Sequence, residues 1–305
     1  MDEVVGLVAQ GNASDVEKAV RFAHEAFLSW RNTSLEERCD LLRKAADLLL
    51  QEAPVLAPLM TRESGMLLSA YRGEIPAAAG ILRQTIRIAE DFFQTEQLED
   101  DHHRIRIEKM PLGVIAALTP WNVPMAITMS KIAPILVTGN TVVLKPSPTA
   151  SMAVSIALQK IAVLFPPGVI NIVHGNAEVG AALTTNPLVR KITLTGGGVT
   201  ASHVMKSAAD SLKRVHFELG GNDPAILLDD VCLEDAIPKI VENAFVRSGQ
   251  VCVETKRVYI PENRFTEACE LFVEQTDGFK IGYGLDERAT FAPVNNVHQY
   301  NLSKA

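Results

Sequence analysis

Residues 113–145 read GVIAALTPWNVPMAITMSKIAPILVTGNTVVLK, and this stretch decides the fold. GVIAAL (Gly113–Leu118) is short and almost wholly apolar, the mark of a strand buried on both faces. Met125–Val137 has helical length, and TVVLK (Thr141–Lys145) is a second, β-branched strand. A strand, a helix and a strand in succession form the repeating unit of a parallel sheet with helices on its faces.

Working outward, the alternation continues toward the C-terminus. Thr149–Leu164 reads as a helix, Val169–His174 as a strand and Glu178–Thr184 as a short helix. Lys191–Leu194 is a strand, Thr200–Lys213 a helix and Arg214–Glu218 a strand. Ala225–Leu228 adds a strand, with helices at Leu233–Val246 and Phe265–Gln275. Toward the N-terminus the pattern is helical. Val16–Trp30 follows a Ser14/Glu17 capping box, and Leu35–Leu50 follows a Ser34/Glu37 box. Ser69–Phe93 is a third helix, with Gly73 and Pro76 weakening its first turns. His102–Met110 alternates as a strand. The expected class is α/β, built on a mostly parallel, doubly wound sheet. In such sheets ligands sit just past the strand ends.

Composition narrows the functional classes. The chain has 305 residues, 47% of them hydrophobic and 21% charged, the ordinary balance of a folded protein. A net charge of −7 argues against nucleic acid and acidic membranes as partners, since both call for a basic surface. MDEVVGLVAQ is acidic where a secretory signal is basic, and the longest apolar stretch is interrupted by Lys131 and prolines. The four cysteines, Cys39, Cys232, Cys252 and Cys269, form no CxxC pair and have no histidine at metal-ligand spacing. Reduced thiols, a cytoplasmic setting and no metal are the expectations.

Five polar segments then stand out: TPWN (Thr119–Asn122), KPSP (Lys145–Pro148), TGGG (Thr195–Gly198), ELGG (Glu218–Gly221) and GQVC (Gly249–Cys252). Taken singly each is bland: a helix cap, a solvated strand end, a plain strand–helix turn, a lone acid, an inert small thiol. In this order they resemble the aldehyde dehydrogenase superfamily, over about residues 5–295. PLGVIAALTPWNVPMAITMSKIAPILVTGNTVVLKPS resembles that family's long signature block. FPPGVINIVHG, KRVHFELGGNDPAILLDD, SGQVCVETKRVYI and the earlier MTRESGMLLSAYRGEI resemble its other blocks. The spacing from Glu218 to Cys252 (252 − 218 = 34) is also the family's own.

The resemblance implies an aldehyde dehydrogenase-like fold: a Rossmann-type cofactor domain over 1–218 and an incomplete α/β catalytic domain over 219–305. The 102–110 strand would be the arm through which full-length family members pair into homo-oligomers. It implies a small-molecule aldehyde as substrate and NAD or NADP as cofactor. Cys252 would be the nucleophile, Asn122 would lie in the oxyanion hole and Glu218 would activate the hydrolytic water. Thr119, Pro120, Trp121, Lys145, Ser147, Gly180, Thr195, Gly196, Gly197 and Leu219 would face the cofactor.

Three departures from the family pattern bear on these roles. Pro148 stands where a ribose-binding carboxylate is common, which removes a charge that would repel a 2′-phosphate and leaves NAD and NADP both open. Gly196-Gly197 replaces the usual Gly-Ser turn, and Ala201 replaces a later glycine. The chain ends at Ala305, soon after FAPVNN, so the resemblance implies truncation at the C-terminus. The competing expectation is a catalytically impaired relative that serves as a nucleotide-binding or subunit-pairing module. A coenzyme A-acylating relative is disfavoured, because such enzymes commonly lack the glutamate that Glu218 supplies.

Overall fold

The structure is a computed structural model describing residues 4–304. Three long helices open the chain: α1 (Ala13–Trp30), α2 (Leu35–Ser64) and α3 (Leu68–Phe92). The cap of α1 is not the expected Ser14/Glu17 pair. Asn12 accepts from the amides of Ser14 and Asp15, and Asp15 accepts back from the amide of Asn12. Asparagine is as strong a cap as serine and stands earlier in the chain, so the helix begins at Ala13. At Ser34 the serine half of the second box is present: its hydroxyl accepts from the Glu37 amide at 3.2 Å. Helix α2 runs past Leu50 to Ser64 despite Pro54 and Pro58, because Leu56, Ala57 and Met60 bury their side chains almost completely.

After α3 come β1 (Glu96–Glu99) and β2 (Arg104–Ile107), an antiparallel hairpin. The strand expected at 102–110 is thus shorter and has a partner that periodicity did not disclose. Then follow β3 (Val114–Leu118), α4 (Pro124–Val137), β4 (Thr141–Lys145), α5 (Met152–Ala162), β5 (Ile170–Ile172), α6 (Ala177–Thr185), β6 (Val189–Thr195), α7 (Gly198–Ala209) and β7 (Arg214–Glu218). The last part of the chain holds β8 (Asp223–Ile226), α8 (Leu233–Phe245), β9 (Thr255–Tyr259), α9 (Phe265–Asp277) and α10 (Val297–Leu302).

The chain divides into two units. The first takes the residues up to Leu56 and Arg72–Glu218; the second takes Ala57–Tyr71 and everything from Leu219 on. The sequence reading kept 57–71 with the first unit, since α2 and α3 are continuous helices whose spacing shows no break.

The first unit is built on a five-stranded, fully parallel sheet in the order β5-β4-β3-β6-β7. Because side chains alternate along a strand, each strand feeds both faces. Val114, Ala116, Leu118, Val143, Ile192 and Leu194 point to one face, where they meet Val16, Val20 and Ala23 of α1, Val179 and Leu183 of α6, and Ala201, Val204 and Ala208 of α7. The other face carries α4 against β3 and β4. This is the doubly wound α/β arrangement that the alternation predicted. Trp30 anchors α1 by donating its indole N–H to the Asn140 carbonyl at 3.1 Å and by meeting Phe165 edge to face.

The second unit has a two-stranded parallel sheet, β8-β9, crossed by α8, with α9 packed on α8. Its core is Leu227, Leu233, Ile237, Val241 and Ala268. A cluster of Phe245, Phe279 and Phe291 stands beside it, the last two rings stacked with centroids 5.3 Å apart. No helix among the described residues is long and apolar enough to cross a membrane.

Candidate active site

Strand order locates the binding crevice. From β3 the chain steps one way to β4 and β5, then returns to the other side of β3 for β6 and β7. The reversal lies between β3 and β6, and the groups beyond their carboxyl ends are Thr119–Asn122 and Thr195–Gly197. The Thr119 amide donates to the Lys145 carbonyl at 3.2 Å, joining the ends of β3 and β4. The hydroxyls of Thr119 and Thr195 are both buried with no hydrogen-bond partner. Two such groups at one crevice are costly unless a polar ligand meets them.

At the same end, Gly197 caps α7 without any side-chain hydrogen bond. A Cβ added at Gly197 or Gly198 would meet nothing, so the chain's own packing does not demand glycine there. The open turn suits close approach of an anion to the first amides of the helix. Lys145 is buried, and burial lowers its pKa; its ammonium reaches the Pro146 carbonyl at 3.4 Å. Gly180 lies over the aliphatic part of Lys145, where a Cβ would come within 3.8 Å of it. The Ser147 hydroxyl sits 3.2 Å from that of Thr149, on the surface. Pro120 and Trp121 are half-buried. This set of hydroxyls, free helix amides and a lysine fits the phosphates and ribose hydroxyls of a dinucleotide.

Sequence reasoning missed His174 beside this crevice. Its Nε2 lies 3.2 Å from the Ser155 hydroxyl while its Nδ1 is buried without a partner. Burial, and then the charge of Lys145, depress its pKa.

Asn122 is half-buried and precedes α4, whose first turn is held by an unforeseen residue. Val123 caps α4 with no side-chain bond; instead Glu74 of α3 accepts from the Met125 amide at 2.7 Å and the Ala126 amide at 3.1 Å. A buried carboxylate at a helix N-terminus satisfies orphan donors and complements the dipole. Glu74 belongs to a quoted sequence block, yet its partner is 51 positions away, beyond the reach of periodicity.

Glu218 ends β7, and its carbonyl accepts from the Gly196 amide at 3.0 Å, tying the acid's backbone to the phosphate-type turn. Its carboxylate is exposed, with Oε1 3.4 Å from His216 Nε2. Behind them, Lys131 of α4 is buried and donates to the Thr193 hydroxyl at 2.9 Å. Burial draws the Lys131 pKa down to about 8; Glu218 opposes this fall and Lys191 adds to it. The sequence reading saw Lys131 only as an interruption of an apolar stretch.

Cys252 lies in the second unit, half-buried and with a free thiol. Its loop is unusually constrained. Arg247, Ser248 and Gly249 have φ of 50°, 60° and 73°, a left-handed run that costs energy at the two non-glycine positions. Neighbouring groups hold it. The Arg247 guanidinium lies 4.8 Å over the Tyr71 ring, and the Ser248 hydroxyl accepts from the Ala292 amide at 2.7 Å. The Gln250 side chain accepts from the Asn295 amide at 3.0 Å. On the far side the Lys256 ammonium gathers the carbonyls of Val251, Cys252 and Glu254. Gly221 is required here, because a Cβ would run into the Cys252 carbonyl.

Two residues past Cys252, Glu254 buries its carboxylate almost completely. Burial pushes its pKa up to about 7, against partial relief from the Val251 backbone, Lys256 and Arg247. The structure therefore sets Asn122, in the loop after β3, and Glu218, at the end of β7, in the first unit, and Cys252 with the exposed Leu219 in the second unit.

Known proteins are similar to this chain in sequence and in fold. A succinate-semialdehyde dehydrogenase [NADP(+)] of Schizosaccharomyces pombe is 35% identical over 303 residues, which cover 96% of this chain and 60% of that protein. The structure of HpcC from Thermus thermophilus superposes with a TM-score of 0.94 at 33% identity, covering 98% of this chain and 59% of that one. Aldehyde dehydrogenase C of Pseudomonas syringae, solved as a mutant with NAD+ and octanal, gives a TM-score of 0.91 at 34% identity, with 98% and 62% covered. The chain thus spans about 60% of the length of the curated relatives it matches. A family model described as the aldehyde dehydrogenase family matches residues 1–304, and the chain belongs to that family.

Proposed function

We propose that this chain carries the cofactor-binding unit and the nucleophile-bearing part of an NAD(P)-dependent aldehyde dehydrogenase that converts an aldehyde to a carboxylic acid. The observation that carries the proposal is the set of groups at the sheet's switch point: two orphaned buried hydroxyls, an uncapped helix N-terminus and Lys145, with Asn122 in the loop between β3 and α4 and Glu218 at the end of β7. Relatives named as NADP-dependent, and a structure solved with NAD+, support either cofactor. Pro148 leaves room for both.

In this reading the Cys252 thiolate attacks the aldehyde carbon, and the carbonyl π electrons move onto oxygen. The Asn122 amide and the Cys252 backbone N–H hold that oxyanion, each such donor being worth about 3 kcal/mol. The bound nicotinamide supplies a hydride acceptor. A thioester on Cys252 remains once the hydride has left. Glu218 then takes a proton from water, the hydroxide attacks the thioester carbonyl, and the Cys252 thiolate departs from the acid product. The four unpaired cysteines favour a reducing, cytoplasmic setting. The exposed Leu98, Ile105 and Ile107 of the β1–β2 hairpin favour subunit pairing.

The small core of the second unit favours the other reading, a nucleotide-binding or pairing module without turnover. One assay separates them. The chain is mixed with a panel of aldehydes and NAD or NADP, and the absorbance of reduced nicotinamide is followed. Turnover abolished by Cys252→Ala, with a burst that stalls in Glu218→Gln, is the expected result. Cofactor binding with no turnover would replace the enzyme reading by the module.

A further inference from the structure

The groups behind Glu218 form a directed series. Thr193 on β6 and His216 on β7 are paired across parallel strands, and Glu218 follows His216 by two positions, on the same face of the sheet. The buried Lys131 of α4 reaches this face. Its ammonium has only hydrogens to offer, so at 2.9 Å the Thr193 oxygen must accept from it. The Thr193 hydroxyl hydrogen is then free to point to its second neighbour, His216 Nδ1, at 3.3 Å. An Nδ1 that accepts from Thr193 leaves the hydrogen of a neutral imidazole on Nε2. Nε2 is the atom that stands 3.4 Å from Glu218 Oε1.

We propose that His216 is the positioning residue for Glu218, held by Lys131 and Thr193 in the tautomer that presents an N–H to one carboxylate oxygen and leaves the other to face water. The inference rests on the reading of Glu218 as the water-activating base. It adds what keeps an exposed glutamate at a strand end in one orientation. Without the imidazole the carboxylate samples several rotamers, and productive encounters with the thioester-bound water fall accordingly.

Two measurements on the full chain test this. In the first, imidazole-15N histidine is incorporated and the His216 resonances are identified by their loss in His216→Gln. At about pH 7.5 the Nδ1 signal is expected at the position of a hydrogen-bonded acceptor in the parent and in Thr193→Ser. It should move several ppm downfield in Thr193→Val. An Nδ1 signal indifferent to Thr193→Val overturns the proposal, and this arm needs no turnover.

In the second, Cys252 is acylated with p-nitrophenyl acetate, and the burst of nitrophenolate is compared with the steady rate. His216→Phe and Thr193→Val should keep the burst and slow deacylation roughly tenfold, with Thr193→Ser restoring it. Glu218→Gln that deacylates normally would reject Glu218 as the base while leaving the tautomer prediction intact. Glu218→Gln that stalls, beside His216→Phe that deacylates normally, would reject the present inference alone. If no acyl-enzyme forms, the resonance decides.

Discussion

The two units bury their apolar residues to very different degrees. The first wraps a five-stranded parallel sheet on both faces, with strands β3 and β4 buried at every residue. The second packs Leu227, Leu233, Ile237, Val241 and Ala268 as the core beside a two-stranded sheet, and leaves Ile226, Leu228 and Tyr259 at least half exposed. Two-stranded sheets are marginal by themselves. The second unit compensates with specific ties: Gln250 to Asn295, Ser248 to Ala292, Lys256 to three carbonyls. The lesson is that the proposed binding residues sit on a scaffold rigid through burial, while the proposed nucleophile sits on one shaped by individual hydrogen bonds.

The largest expected effect tests that contrast directly. Ile192→Ala, at a fully buried site on β6, should cost about 4 kcal/mol and lower the main unfolding transition. Ile237→Ala, equally buried in α8, should instead speed amide exchange in β8, β9 and α8 and leave β3 and β6 protected. Identical shifts of one shared transition would break the distinction.

Next comes Gly221→Ala. The new methyl meets the Cys252 carbonyl, and displacing that backbone should cost the second unit about 3 kcal/mol. The check is a changed rate of Cys252 alkylation with unchanged exchange in the first unit's strands.

Glu254 gives a smaller, pH-dependent effect. Its pKa in the folded chain is about 7, above the ordinary 4.5, so between these values the folded form holds a proton that the unfolded form has released. Stability of the second unit therefore falls as pH rises through this window. Glu254→Gln should remove that loss, a gain of about 2 kcal/mol at pH 8 and none at pH 4, read from denaturant midpoints. A gain equal at both pH values would contradict it.

The smallest effect concerns strained backbone. Leu212 in the first unit has φ of 49° and is 91% exposed, so Leu212→Gly should stabilise by about 1 kcal/mol. Ser248→Gly should gain nothing net, because its relief of strain is offset by the lost bond to Ala292. A clear gain at Ser248 would mean that the loop's ties count for less than stated.

Much of this molecule was legible in the sequence because its signals are local. Alternating strand and helix patterns gave the α/β class, and TVVLK and RVHFE occupy their strands residue for residue. The family followed from five blocks in their order, each of them weak by itself. What the sequence could not give was every relation between residues far apart in number. Glu74 capping α4, Lys131 donating to Thr193, the Arg104–Ile107 strand finding Glu96–Glu99, and 57–71 joining the second unit all depend on which surfaces meet after folding.

Burial is likewise a property of the whole packing. It turns Glu254 from an ordinary surface acid into a carboxyl with a pKa of about 7, and Lys131 from a helix charge into an ammonium with one of about 8. Sequence determines which groups are present and how they alternate. Tertiary structure decides which of them lose water, because desolvation is set by neighbours that no local pattern names.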